Sequence, residues 1–321
     1  MSSDIRDIVR YYLPKFPINR VRRCLTDTTD FTSIDYGDVI HVGDLHYMVL
    51  RDEAERRFGL EDFKFWVKRC KCLETGESAI LKLVFHEEFV QRLGPVSIRS
   101  FRSETKEARI LELVKNDPRF MHGFSVLDEV GNLVRVLKVI RGRRFDMAVQ
   151  RLSGGHREYF DSGLRNMLEL FISGCEGIAF LHDHDELHGD VRRDHLWFEP
   201  SAGTVRWIDF DYAYESSANP FALDLFGLGN VLLFVVGKQI YTPGVFNGME
   251  GEDSIVPNDF SLIYKNRLVN LRRLLPYIPE SLNRVLMHFA AGARVYYESV
   301  NEFLDDLRPC LDELPIQKEE S

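Results

Sequence analysis

Asp190, Arg192 and His195 crowd into one stretch, Leu-His-Gly-Asp-Val-Arg-Arg-Asp-His-Leu-Trp-Phe (187–198), and Asp209 follows a second short apolar run. Upstream stand Lys82, within Ser-Ala-Ile-Leu-Lys-Leu-Val-Phe (78–85), and Glu107. Moving a phosphoryl group asks little covalent chemistry of a protein. It asks for a cation on the phosphates, carboxylates or their equivalents on a metal, and a base aimed at the acceptor hydroxyl. Asp190 and Asp209, on adjacent loops, suit one base and one metal ligand; Asp194 and Asp211 lie nearby. A lysine inside an apolar strand is costly unless paired. Glu107 fits as its partner, with Glu104 one turn earlier in reserve. The competing reading makes Lys82 an edge-strand lysine reaching water and the aspartates mere turn residues. The four occurring together favour the chemical reading.

These residues need elements to carry them. Residues 1–35 read as a leader: Ile5, Ile8, Val9, Tyr12 and Leu13 recur at helical spacing until Pro14 and Pro17 break it. Gly43-Asp44 predicts a hairpin between 38–42 and 45–50, and Glu74-Thr75-Gly76-Glu77 a second between 63–73 and 79–85. Alternation along 79–85 puts Ile80, Lys82 and Val84 on one face. Ser103–Lys115 reads as a helix with Glu107, Ile110, Leu111 and Val114 on one stripe. A third hairpin joins 124–127 to 133–140. Beyond Arg141-Gly142 the pattern turns helical over 164–182, 223–237, 259–275, 279–290 and 300–310, with short strands at 196–198 and 205–208 delivering Asp209. The expected class is α+β. Its parts are the leader, a β-rich lobe over 36–138, a helical lobe over 139–312 and a polar tail over 313–321.

Composition narrows the function. Lys+Arg 41 against Asp+Glu 50 gives a net charge of -9, which argues against a general nucleic-acid binder. No apolar run reaches the length of a membrane span, and the N-terminus lacks a signal-peptide core. Cys24, Cys70, Cys72, Cys175 and Cys310 form neither a CxxC pair nor an even framework. A reduced, cytoplasmic protein is the expectation.

Taken in order, the motifs resemble the protein kinase-like superfamily, over about residues 45–310. Thr75–Lys82 looks like the turn and strand carrying the ATP-phosphate lysine, and Glu107-Ala-Arg-Ile-Leu like the helix carrying its glutamate. Val139-Ile140-Arg141-Gly142 is similar to the hinge behind adenine, with Leu137 in the gatekeeper place. His188-Gly189-Asp190 looks like the catalytic loop, and Asp209-Phe210-Asp211 occupies the place of Asp-Phe-Gly. The run beginning at Asp224 resembles the buried helix that anchors the catalytic loop. Arg294 and Phe303–Arg308 resemble the last two helices. The resemblance implies a bilobal protein kinase-like fold, ATP bound through Lys82, Glu107, Ile80, Leu137, Lys138, Ile140 and Gly59, and Mg²⁺ or Mn²⁺ on Asp209 and His195. Asp190, Lys82 and Arg192 become catalytic, and a protein substrate the expected partner.

The chain departs from the pattern in several places. Arg56–Asp62, the expected phosphate loop, holds Gly59 alone, so Arg56 or Arg57 would have to substitute by charge. Ile80 replaces a small residue against the adenine. Gly189 replaces the arginine that reads activation-loop phosphate, and Asp224 follows Asp209 too soon for a long activation segment. In His-Gly-Asp and in the short path to Asp224 the chain looks like small-molecule kinases and small atypical protein kinases, while its Lys82 strand and final helices look like ordinary Ser/Thr kinases. His195 stands where the family has asparagine. Imidazole is a poor ligand for Mg²⁺ and a better one for Mn²⁺ or Zn²⁺. His195 either binds Mn²⁺, or hydrogen-bonds Asp190 and leaves a single metal on Asp209, or marks lost catalysis. Arg192 either meets the γ-phosphate or pairs with Asp194 or Asp211. The expected activity is transfer of the γ-phosphoryl group of ATP to a Ser/Thr hydroxyl. The alternatives are a pseudokinase scaffold and a small-molecule kinase whose acceptor pocket would use Glu215, Asp253 and Tyr241.

Overall fold

The computed structural model describes residues 5–57, 60–93, 96–214 and 219–316. They divide into two units, one comprising residues to 87, 102–117 and 121–140, the other 88–101, 118–120 and 141 onward. The first is built on a sheet and the second mostly on helices. The chain is therefore α+β, with the β-rich and helical parts of a bilobal kinase-like fold.

In the β-rich unit, α1 (Ile5–Tyr12) precedes β1 (Cys24–Leu25), β2 (Val39–Val42), β3 (Leu45–Arg57), β4 (Leu60–Cys72) and β5 (Ser78–Lys82). Strands β6 (Glu88–Leu93) and β7 (Val96–Arg102) then leave for the second unit, before α2 (Glu104–Leu113), β8 (Gly123–Leu127) and β9 (Leu133–Lys138). The sheet runs β1-β2-β3-β4-β5-β9-β8. Its hairpins follow the sequence turns: Gly43 and Gly76 have positive φ, which tight turns require and glycine supplies without strain. One face buries Ile40, Val49, Cys70, Cys72, Ala79, Leu81, Val134 and Val136. The leader helix docks on its own unit, with Val9 packed among Val21, Val39, Met48 and Leu73. Ser103 caps α2 by accepting from the Lys106 N–H, and the helix buries Glu107, Ile110 and Leu111.

The helical unit contains β10 (Arg143–Arg144), α3 (Phe145–Gln150), α4 (His156–Ser162), α5 (Leu164–His182), β11 (Leu196–Glu199), β12 (Thr204–Trp207), β13 (Tyr212–Tyr214), α6 (Ala222–Gly237), α7 (Pro243–Phe246), α8 (Glu280–Met287) and α9 (Val300–Leu307). Strands β10-β11-β12 form one small sheet and β13-β7-β6 another. Helix α5 buries the stripe its sequence predicts, including Leu168, Phe171, Cys175 and Ile178. Helix α6 is buried over most of its surface, as its nearly unbroken apolar sequence requires. Among the described residues no helix is long and apolar enough to cross a membrane.

Two expectations fail, and one hairpin with its partner strand is new. The helix expected over 259–275 is irregular chain with short 3-10 turns at Pro257–Asp259 and Leu271–Arg273. The buried Asp259 carboxylate gathers the Val256 N–H at 2.9 Å, the Asn270 amide at 2.7 Å and Arg273 Nε at 3.0 Å. That network rewards a folded-back loop over a helix. Arg294 lies between α8 and α9 instead of on a helix. The hairpin β6–β7 and the strand β13 were not expected at all. The polar tail beyond residue 316 lies outside the described residues.

Candidate functional site

Lys82 ends β5, which pairs with β4 on one side and β9 on the other, so it is not an edge lysine. The residue is 2% exposed. Its Nζ donates to Glu107 Oε1 at 2.8 Å, so α2 supplies the partner its stripe predicts, and Glu107 itself is fully buried. Arg135 on β9 was not anticipated: its Nε donates to the other oxygen of Glu107 at 3.1 Å, and its Nη1 to the Leu133 carbonyl at 2.7 Å. Cross-strand register identifies it, because Lys82 pairs with Arg135 and Ile80 with Leu137. Ile80, Lys82, Arg135 and Leu137 thus share one sheet face, opposite the apolar core. Leu137 is buried and Ile80 partly so, while Lys138, paired with Ala79, is exposed and Ile140 half-buried. Strand β3 ends at Arg57 and β4 begins at Leu60 in register. Gly59 and the side chains of Arg56 and Arg57 lie outside the described residues.

In the helical unit the loop after α5 is held from beneath by Asp224, in the first turn of α6. Its Oδ2 accepts the His188 N–H at 2.7 Å and meets His182 Nε2 at 3.1 Å; its Oδ1 accepts the Gly189 N–H at 2.9 Å. Burial alone would raise the Asp224 carboxyl. The hydrogen bond and charge of His182, with His188 and the Gly189 amide, outweigh it and hold the group below its ordinary range. Gly189 adopts φ +87, and a Cβ there would sit 1.8 Å from the Tyr212 carbonyl oxygen. On this backbone no side chain, an arginine's included, fits at position 189.

Asp190 and Asp209 flank one imidazole. His195 is 5% exposed. Its Nδ1 lies 3.0 Å from the Asp190 carbonyl oxygen, so that nitrogen carries the proton. Its Nε2 accepts from Arg192 Nη2 at 2.8 Å and lies 3.7 Å from Asp209 Oδ2. The same ring approaches the Asp190 carboxylate, Nδ1 to Oδ2, at 3.5 Å. Arg192 donates to Asp194 at 3.0 Å and stands 3.8 Å from Asp190, so it takes the Asp194 pairing. Burial pushes the Asp190 carboxyl up, against the pull of His195 and Arg192, and Asp209 adds to the rise. Asp209 holds φ +59, a left-handed conformation that non-glycine residues rarely adopt and that clusters at functional sites.

The donor set fits a divalent ion. A lone pair on Nε2 and a carboxylate oxygen 3.7 Å apart are near the separation of two ligands that each bind an ion at about 2.1 Å. An ion there would require the Arg192 guanidinium to swing off Nε2. The acceptor pocket of a small-molecule kinase finds less support. Tyr241 is buried in the core at 1% exposure, Asp253 sits in a surface 3-10 turn, and Glu215 lies outside the described residues.

No protein-family description matches the chain. Over 150 residues it is 23% identical to a Caenorhabditis elegans protein provisionally named ribosomal protein S6 kinase alpha-2. The match covers 46% of this chain and 17% of that protein, so the chain spans far less than the relative's length. With the fold, this distant similarity supports a kinase-like relationship.

Proposed function

We propose that the chain is an ATP-dependent phosphotransferase that moves the γ-phosphoryl group to a Ser/Thr hydroxyl of a protein partner. One observation carries the reading. Asp190 and Asp209, from different loops, approach opposite nitrogens of a single buried imidazole, at 3.5 Å and 3.7 Å. Lys82, fixed by Glu107, steadies the phosphates. Ile80, Leu137, Lys138 and Ile140 receive the base, and Gly59 belongs to the phosphate loop. Asp209 Oδ2 and His195 Nε2 hold the divalent ion, with Mn²⁺ favoured over Mg²⁺ by the nitrogen donor. Bound ATP with its ion supplies the phosphoryl group and neutralises the charge that builds on it. Asp190 accepts the acceptor hydroxyl's proton; burial makes it a stronger base than an ordinary carboxylate. Arg192 lies beside it to balance negative charge. The free cysteines suit a reducing, cytoplasmic setting.

Intact-mass measurement after incubation with ATP and Mg²⁺ or Mn²⁺ tests the proposal. A phosphate increment on the chain or on a protein acceptor is expected, larger in Mn²⁺ and abolished in Asp190→Asn. Equal signal from the variant removes Asp190 from the mechanism. A second reading, a pseudokinase scaffold, is favoured by the Arg192 guanidinium resting on the Nε2 that would bind metal. No phosphate increment in either metal, with wild-type folding intact, would select it.

A further inference from the structure

The hairpin β6–β7 lies in sequence between the strand ending at Lys82 and the helix carrying Glu107, yet its sheet partner is β13, three residues past Asp209. Phe89 pairs across the hairpin with Ser100 and Gln91 with Ile98. Ile98 and Ser100 are buried while Ser97 and Arg99 are exposed, so the hairpin has an inner face. From that face the Phe89 ring meets Tyr212 edge-on, centroids 5.7 Å apart. On the outer face Arg99 grips Glu88 with two bonds, Nε to Oε1 at 2.6 Å and Nη2 to Oε2 at 2.9 Å, bracing the two strands against each other. The Tyr212 carbonyl, in turn, closes over Gly189, where even a Cβ would lie 1.8 Å away. A continuous path therefore runs from the hairpin through β13 to the backbone that presents Asp190, and along the chain to Asp209.

We propose that this hairpin is a built-in clamp: it holds the segment after Asp209 as an ordered strand with no phosphate required, and Phe89 and Tyr212 are positioning residues for Asp209 and Asp190. Gly189 stands where the resemblance puts the arginine that reads a phosphate on this segment, and the clamp supplies the order such a contact would give. A strand held by ladder hydrogen bonds and an aromatic pair opens less often than a loop of the same length. Where the clamp bears on turnover, it rests on the phosphotransferase reading above. As a statement about order, it stands or falls alone.

Hydrogen exchange on the full chain decides it, read at the amides of 209–214 and compared with those of α5 and α6. Phosphatase-treated protein should protect 212–214 as well as untreated protein. Phe89→Ala should speed exchange there about tenfold and leave the α5 amides unchanged; Phe89→Tyr should restore protection. Phosphatase-dependent protection, or unchanged exchange in Phe89→Ala, overturns the clamp. Should Phe89→Ala unfold the chain, seen as fast exchange throughout α5, Tyr212→Ala and Tyr212→Phe give the same comparison from the other side of the contact. In turnover, Phe89→Ala should lower kcat with KM for ATP unchanged, counted per folded molecule from the α5 exchange so that a loss of folded protein, which lowers apparent kcat in the same way, is taken out. If wild type shows the clamped exchange pattern but no turnover in any metal, the phosphotransferase reading fails and the clamp survives.

Discussion

Glu107 is buried between two cations, Lys82 on one oxygen and Arg135 on the other, and this sharing sets how each substitution behaves. Removing Lys82 leaves the carboxylate with a partner. Removing Glu107 takes the same carboxylate away from two buried basic groups at once, and buried charge that loses its counter-charge is the costly case. Urea unfolding should therefore show Glu107→Gln losing about 3–5 kcal/mol and Lys82→Met only about 1–2 kcal/mol. Equal losses would mean Arg135 does not hold the carboxylate. The sequence made Lys82 and Glu107 legible, because a lysine in an apolar run and a glutamate on an apolar stripe are each anomalous. Arg135 was illegible, since its role depends on which strand lies beside β5, and alternation along one strand does not encode that. Similar reasoning applies at His195. Arg192 occupies Nε2 and adds positive charge where a cation would sit. Arg192→Ala should tighten Mn²⁺ about 3- to 10-fold by electron paramagnetic resonance titration, and His195→Ala should weaken it. Weaker Mn²⁺ binding in Arg192→Ala would show the arginine supporting the ion site, against this assignment.

At the scale of elements, α6 holds the loop over 187–190 through a single carboxylate. Asp224 has a folded pKa below its ordinary value, so the stability it adds is present above the carboxylate's unfolded range, near pH 4, and is lost as pH falls through the folded value. Asp224→Asn keeps one acceptor and puts an NH₂ where the second acceptor was. The stability gap between wild type and this variant should be about 2–4 kcal/mol at pH 7 and should shrink as the pH drops below about 4; a gap independent of pH would mean shape alone matters. Gly189→Ala attacks the same loop from above. It combines a positive φ with a collision against the Tyr212 carbonyl, and should cost at least about 1–3 kcal/mol and loosen 187–190 in hydrogen exchange. Helices α2, α5 and α6 were readable because capping, periodicity and apolar content agree. Residues 259–275 misled because apolar spacing was compatible with a helix while the decisive term was a buried carboxylate's long-range bonds. The hairpin β6–β7 had a signal in Val96, Ile98 and Ser100 alternating after Gly94-Pro95. Its partner strand, however, lies more than a hundred residues away, and no local pattern reaches that far.

For the whole molecule, the division into two units makes metal binding a test of where the ion goes. His195 and Asp209 both belong to the helical unit, and a ligand stabilises only the structure that holds its site. The chain carries its own reporters: Trp66 is in the β-rich unit, Trp197 and Trp207 in the helical one. Trp207 is fully buried, with Nε1 donating to the Gly174 carbonyl at 2.8 Å and its ring against His188 at 5.1 Å, so its fluorescence follows the packing beneath the Asp190 loop. In Trp66→Phe, emission on heating reports the helical unit alone. Mn²⁺ without nucleotide, at about 100 times its Kd, adds about 2.7 kcal/mol to a unit that binds it, enough to raise the midpoint by about 5–10 °C. The converse variant, with Trp197 and Trp207 replaced by Phe and Trp66 kept, reports the β-rich unit, whose midpoint should not move if it melts independently. Asp209→Asn should remove the shift in the first variant while leaving its metal-free midpoint near that of the parent. A shift that persists in Asp209→Asn would assign the ion to other residues, and with it the chemistry proposed for this pair.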